Sequence, residues 1–148
     1  MNTLPVIFGR VNKIGSLAIR LWTWSTWSHI GVITECGNYV IESVGFKGVI
    51  VTPINEFKSR YTTWVIGEVP ITNTRTKAYT ILNSYIGSSY DYLAIMGRIF
   101  RRRWDKKDAF VCSELFAIAS GMYRDDRIAR VDPEHIWMIT RTLNSHKR

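Results

Sequence analysis

The segment HIGVITECGNYVIESV, residues 29–44, constrains the fold more than any other stretch of the chain. Two apolar runs rich in β-branched residues flank a short polar stretch that contains Gly37. This arrangement is typical of a β-hairpin, because glycine adopts the backbone angles that tight turns require. The segment therefore predicts two antiparallel strands joined by a short turn.

The length of that turn decides which side chains share a face. A two-residue turn at Cys36-Gly37 would place His29 opposite Val44, and His29 and Glu42 would become diagonal neighbours on one face, ~7–8 Å apart at the backbone. A turn one position later would keep the shared face but increase the separation, whereas a loop longer or shorter by one residue would put the two on opposite faces. A carboxylate that is hydrogen-bonded to an imidazole can fix the tautomer of the ring and stabilise the imidazolium. The alternative is a histidine capped by a backbone group and a solvated glutamate, and the hairpin by itself favours this alternative.

Apolar periodicity and turn residues predict the remaining elements. Strands are expected over 4–8, 48–54 and 62–69, and helices over 14–22, 74–86, 90–100 and 108–121. Asp132 and Pro133 are typical of the start of a further helix. The sum is an α+β fold in one domain over residues 1–148, with a small antiparallel sheet packed against several helices.

The composition fits a folded protein with an anionic partner. The apolar fraction is 46% and the formal net charge is +8, with six basic residues between positions 98 and 107. The chain contains no apolar run of transmembrane length and no signal-peptide pattern at its N-terminus, so we expect synthesis in the cytoplasm. Action outside the cell of synthesis would require release by other machinery. The histidines and cysteines have no metal-ligand spacing, so neither a metal nor another cofactor is expected.

Cys112 is the candidate nucleophile. It precedes the strongly apolar run SELFAIAS, and a cysteine near a helix N-terminus lies in a positive potential that favours the thiolate. An adjacent imidazolium would favour the thiolate further and complete a Cys–His pair. The residues alone fit a buried structural cysteine equally well. Cys36 is interpreted as a turn residue, and both cysteines are expected to be free thiols.

These motifs together resemble the circularly permuted branch of the NlpC-type cell-wall peptidase superfamily, which has a papain-like fold and includes lecithin:retinol acyltransferase-like enzymes. The resemblance lies in the segments WSHIGV, YVIESVGFKGVIVTPINEF, YDYLAI, FVCSELF and VDPEHIW, in this order, between residue 4 and about residue 138. The permuted order is histidine, acidic or polar residue, cysteine, as in His29, Glu42 and Cys112. The chain departs from the family in lacking the Gly-Asp pair on the first strand and in carrying the basic tract RRRWDKK.

The resemblance implies a permuted papain-like cysteine hydrolase with Cys112 as nucleophile, His29 as general base and acid, and Glu42 as the residue that orients His29. It implies that Tyr90 contacts the substrate or supports the site, although a packing tyrosine is an equal alternative. Trp27, with Trp22 and Trp24, either lines an apolar substrate groove or packs in the core.

The expected substrate is a peptide bond in bacterial peptidoglycan stem peptides, since much of the superfamily cleaves there. The alternative is a lipid-directed acyl hydrolase or acyltransferase of the same fold, because the positive charge also suits a phospholipid surface. A basic module that binds nucleic acid through residues 98–107 and Trp104 is the non-enzymatic alternative. No nucleic-acid-binding motif supports that alternative, so nucleic acid is not the expected partner. The oligomeric state is left open.

Overall fold

The computed structural model describes residues 2–11, 26–44, 47–87, 109–123, 128, 131 and 133–147. The strands are β1 (Thr3–Arg10), β2 (His29–Ile33), β3 (Tyr39–Val44), β4 (Gly48–Pro53), β5 (Thr63–Pro70) and β6 (Arg141–Lys147). The helices are α1 (Ile54–Arg60), α2 (Arg75–Tyr85), α3 (Ala109–Ser120) and α4 (Pro133–Met138). The strands form one six-stranded sheet in the order β4-β3-β2-β1-β5-β6, and every neighbouring pair is antiparallel.

The expected α+β class is confirmed, and each described element predicted from the sequence is present. The sheet is larger than the small one expected, because β6 extends it beyond β5. The short helix α1 was also not predicted. The helices expected over 14–22 and 90–100 lie outside the described residues. Among the described residues, no helix has the length and apolarity needed to cross a membrane.

Side chains alternate between two apolar clusters on the two faces of the sheet. The larger cluster joins the sheet to α2, α3 and α4, and from β1 it takes Leu4, Val6 and Phe8. The smaller cluster lies on the other face, where Ile7 of β1 packs with Phe57 of α1. This alternation follows from the two-residue period of a strand. The helix α1 therefore covers the face of the sheet that carries the odd-numbered side chains of β2 and the even-numbered side chains of β3.

Two helices end at glycines, as their sequences predict. Gly87 follows α2 with a φ of 81°, and Gly121 follows α3 with a φ of 66°. Both values lie in the left-handed region, which glycine enters without the steric cost that a β-carbon imposes. At its other end, α2 is capped by the Thr74 hydroxyl, which accepts a hydrogen bond from the backbone N–H of Lys77 at 3.2 Å.

The β2–β3 hairpin has the expected register but a different turn. Ile33 pairs with Val40, which is the pairing that a two-residue turn at positions 36 and 37 would also impose. The last bonded pair is instead Thr34 with Tyr39, and the N–H of Gly37 donates to the Thr34 carbonyl at 2.9 Å. The loop is therefore longer and spans residues 35–38, with a turn whose central residues are 35 and 36, as in hairpin loops built around a type I turn. Because the loop gains one residue on each side, the facing of every strand side chain is unchanged.

Candidate active site

The hairpin register brings His29 and Glu42 into direct contact. The Nε2 atom of His29 lies 2.7 Å from Oε2 of Glu42. Both side chains are buried, with 8% of His29 and 0% of Glu42 exposed. The shared face and the contact expected from the sequence are thus present. The geometry is that of a carboxylate that fixes the orientation of an imidazole.

Glu42 is held as an anion by three donors. Besides His29, the hydroxyl of Thr52 on β4 donates to Oε1 at 2.5 Å, and Nη2 of Arg60 donates to the same oxygen. Burial by itself raises the pKa of Glu42. The hydrogen bonds from His29, Thr52 and Arg60 and the charge of His29 outweigh that effect, so the pKa lies below its ordinary value. The carboxylate is therefore ionised at neutral pH.

Cys112 lies in the first turn of α3, is 3% exposed, and forms a hydrogen bond with the side chain of His29. Burial lowers the pKa of His29, but the charge and hydrogen bond of Cys112, followed by those of Glu42, raise it to about 9. The ring is therefore an imidazolium at neutral pH, held between an acidic group on each side. Its proton is lost only as the pH rises through about 9.

Two aromatic rings pack against the imidazole. The centroid of Phe57 lies 5.8 Å and that of Tyr61 6.0 Å from the His29 ring, and the Tyr61 ring is nearly parallel to it at 13°. Burial is the main cause that raises the pKa of Tyr61 above its ordinary value. The charge of Arg60 lowers that pKa, and the charges of Glu42 and Cys112 raise it further. The phenol thus stays neutral and able to donate a hydrogen bond.

A glycine makes room for Tyr61. Gly9 pairs with His29 across β1 and β2, and a β-carbon built at Gly9 would lie 2.6 Å from the Tyr61 ring. That distance is well inside van der Waals contact, so a side chain at this position forces the ring to move. Gly9 therefore sets the depth at which Tyr61 packs on the imidazole.

We expect Gly9→Ala to displace Tyr61 from His29 and to lower the free energy of unfolding by roughly 1–3 kcal/mol, the usual cost of overpacking. Urea denaturation of the single variants and of Gly9→Ala/Tyr61→Leu measures this. In the Tyr61→Leu background the cost of Gly9→Ala should shrink, because the smaller side chain can yield. An equal cost in both backgrounds would contradict this role for Gly9.

The other predicted residues lie elsewhere. Trp27 is buried in the larger cluster, where its ring centroid lies 5.6 Å from that of Phe8 and 4.9 Å from that of Trp137. These are the contacts of a core residue and not of a groove lining, which agrees with the packing alternative. Tyr90 and the tract 98–107 lie outside the described residues. Cys36 is an exposed, free thiol in the hairpin loop, where its hydrogen bond with the Thr34 side chain lowers its pKa.

Four contributors to the site were not predicted: Thr52, Phe57, Arg60 and Tyr61. Only Thr52 had an available signal, since the strand register of β3 and β4 places it beside Val40 and hence on the face of Glu42. The other three belong to α1 or directly follow it.

Comparison with known proteins supports the fold. The crystal structure of the metalloprotein yiiX from Escherichia coli O157:H7, a DUF1105 protein, matches this chain with a TM-score of 0.63. The match covers 99% of this chain and 98% of that chain at 18% sequence identity. No protein-family model and no curated protein matches the sequence. The chain therefore shares its α+β fold, over nearly the full length, with yiiX.

Proposed function

We propose that this protein is a cysteine hydrolase of permuted papain-like fold that cleaves an amide bond through Cys112, His29 and Glu42. The observation that carries the proposal is the position of one imidazole between a buried thiol and a buried carboxylate. A nucleophile, a base and an orienting group within hydrogen-bond reach of one another are the signature of nucleophilic catalysis. The fold shared with yiiX is compatible with this role but does not by itself supply it.

In the proposed reaction, the sulfur of Cys112 attacks the carbonyl carbon, and the developing oxyanion is stabilised by the positive potential at the N-terminal end of α3. His29 donates its proton to the amine as the C–N bond breaks, which leaves a thioester on Cys112. A water molecule then attacks the thioester carbonyl while His29 accepts the water's proton. The carboxylic acid product leaves, and the thiolate–imidazolium pair is restored. Glu42 holds the ring orientation throughout and does not exchange a proton.

We propose the peptide bonds of bacterial peptidoglycan stem peptides as the substrate. The net charge of +8 favours an anionic polymer, and the sequence resemblance to cell-wall peptidases favours a peptide bond within it. The yiiX structure is described as that of a metalloprotein. In the described part of this chain, no three side chains of metal-ligating type are grouped to hold an ion, so the residues present do not fit a metal site. No step of the proposed reaction passes through a metal.

The test is to trap the acyl-enzyme on Cys112. The protein is mixed in separate reactions with peptidoglycan fragments and with phospholipid vesicles, quenched in acid and digested, and the peptide containing Cys112 is examined by mass spectrometry. A stem-peptide thioester that is absent in Cys112→Ala and unaffected by EDTA supports the proposal. A fatty-acyl adduct from the vesicles would instead identify a lipid acyl hydrolase or acyltransferase. Turnover without any adduct on Cys112, or turnover abolished by EDTA, would overturn the cysteine mechanism.

A further inference from the structure

Arg60 is the charged group of this site for which the proposed reaction has no role. It is the last residue of α1, and its Nη2 atom donates to Oε1 of Glu42, the carboxylate oxygen that His29 does not use. Glu42 is completely buried, whereas 35% of the Arg60 side chain is exposed. The arginine therefore lies between the buried carboxylate and the solvent.

Arg60 also contacts the two rings that pack on the imidazole. Its guanidinium carbon lies 5.3 Å from the centroid of Phe57 and 5.8 Å from that of Tyr61. A guanidinium stacks well on aromatic faces, which leaves its N–H edge free to bind a carboxylate. Phe57 and Tyr61 therefore pack both against the imidazole of His29 and against the guanidinium of Arg60.

Three charged groups alternate in sign along a chain of contacts: the His29 imidazolium, the Glu42 carboxylate and the Arg60 guanidinium. A buried carboxylate is costly unless it is paired and fully hydrogen-bonded. Without Arg60, the hydrogen bonds from His29 and Thr52 would be left to satisfy the fully buried Glu42. Arg60 adds a second cation and a further donor to that carboxylate.

We propose that Arg60 is a positioning residue: by binding the oxygen of Glu42 that His29 leaves free, it keeps the carboxylate ionised and directed at the imidazole. This inference rests on the proposed function, since it assigns Arg60 a part in the same site. Within the triad, Arg60 binds Glu42, and it acts on the imidazole through that carboxylate.

The proposal predicts the direction in which the pH dependence of activity changes when Arg60 is removed. The hydrogen bond from Arg60 is one of the interactions that lower the pKa of Glu42. A carboxylate with a depressed pKa keeps its interactions above its unfolded pKa and loses them as the pH falls through its folded pKa. Removing Arg60 should therefore move the protonation of Glu42, and with it the acid limb of activity, to higher pH.

The experiment compares Arg60→Gln and Arg60→Lys with the control Lys58→Gln. Lys58 lies on the same helix and carries the same charge, but its ammonium rests over the Trp64 ring, 4.3 Å from the centroid, and not on the site. Two quantities are measured across pH: the ¹³C chemical shift of the Glu42 carboxyl by NMR, and kcat/KM for hydrolysis. Thermal unfolding of each variant checks that the fold is retained.

For Arg60→Gln we expect the Glu42 titration midpoint to rise, and kcat/KM to fall at the acid end of the profile while it is unchanged at neutral pH. Arg60→Lys should show a smaller rise, because it keeps the charge but not the planar fork. Lys58→Gln should match the wild type. A Glu42 midpoint unchanged in Arg60→Gln would overturn the proposal, and so would an equal loss of activity at every pH.

The NMR arm separates this inference from the proposed function. If the protein hydrolyses none of the substrates tested but the Glu42 midpoint rises in Arg60→Gln, the positioning contact is supported and the hydrolase proposal fails. If hydrolysis depends on Cys112 but neither the midpoint nor the acid limb moves, the hydrolase proposal stands and the role of Arg60 is refuted.

Discussion

Cys112→Ala is expected to lower kcat/KM for hydrolysis by at least about three orders of magnitude while leaving the fold intact. The loss is large because a thioester cannot form without the sulfur, so His29 and Glu42 have no nucleophile to serve. The cost to stability should be small, at about 1 kcal/mol, since the substitution removes one buried atom. Steady-state kinetics on the substrate that acylates Cys112, together with urea denaturation, measure the two effects.

Cys36→Ser is the matched control for this prediction. Cys36 is a free thiol like Cys112, but it is exposed in the hairpin loop and its sulfur lies 3.2 Å from the Thr34 hydroxyl. Its removal should leave kcat/KM within about twofold of the wild type, since surface substitutions away from a site have little effect. Loss of activity in Cys36→Ser, or its retention in Cys112→Ala, would show that the nucleophile has been assigned wrongly.

Glu114→Gln is expected to stabilise the protein at neutral and alkaline pH. Glu114 lies on α3 and is 2% exposed, and within the described structure its Oε2 atom has no hydrogen-bond partner. Burial raises the pKa of this carboxyl from 4.5 to about 8. The folded state therefore retains a proton that the unfolded chain releases, and the resulting penalty grows as the pH rises from about 4.5 to about 8.

The expected gain from Glu114→Gln is roughly 2–3 kcal/mol in the free energy of unfolding at pH 7, and much less at pH 4.5. Urea denaturation across this pH range measures it, with Glu56→Gln, an exposed substitution on α1, as the control. The wild type should lose stability between the two pH values by more than Glu114→Gln does. Parallel stability curves for the two proteins would contradict the assignment of a neutral, buried carboxyl.

The hairpin shows how much of the site local sequence can predict. Apolar alternation and Gly37 predicted the hairpin, and the structure has the register that a two-residue turn at positions 36 and 37 would give. The turn is longer than that, because residues 35 and 38 belong to the loop as well. The prediction of a shared face survived because the error was symmetrical, with one residue added on each side of the turn.

Two elements escaped prediction for different physical reasons. The strand β6 has the sequence RTLNSHK, which lacks the apolar alternation from which a half-buried strand is predicted; it lies at the edge of the described sheet, next to β5. The helix α1 is seven residues long and buries only Phe57, which is too little for a helical period to emerge. Because α1 was not predicted, the contact of Arg60 with Glu42 and the contact of Tyr61 with His29 could not be predicted either, since both depend on where that helix lies.

The contact between Cys112 and His29 could not be derived from local pattern either. The two residues lie on elements far apart in the chain, and no periodicity relates a helix to a distant strand. The order of motifs in the family resemblance was the signal that joined them. In the structure the two groups interact electrostatically, since the charge of Cys112 and a hydrogen bond with it help to raise the pKa of His29.

The most direct test of the account is the rate at which iodoacetamide alkylates Cys112 as a function of pH, measured in a Cys36→Ser background with and without His29→Ala. If the imidazolium stabilises the thiolate, Cys112 should react rapidly at pH 6, and its rate should change little up to the pH of about 9 at which His29 loses its proton. His29→Ala should then react at least about tenfold more slowly at pH 6 and recover only near pH 8.5 or above, where an unpaired thiol ionises. Identical pH profiles with and without His29 would contradict the pair on which the proposed function depends.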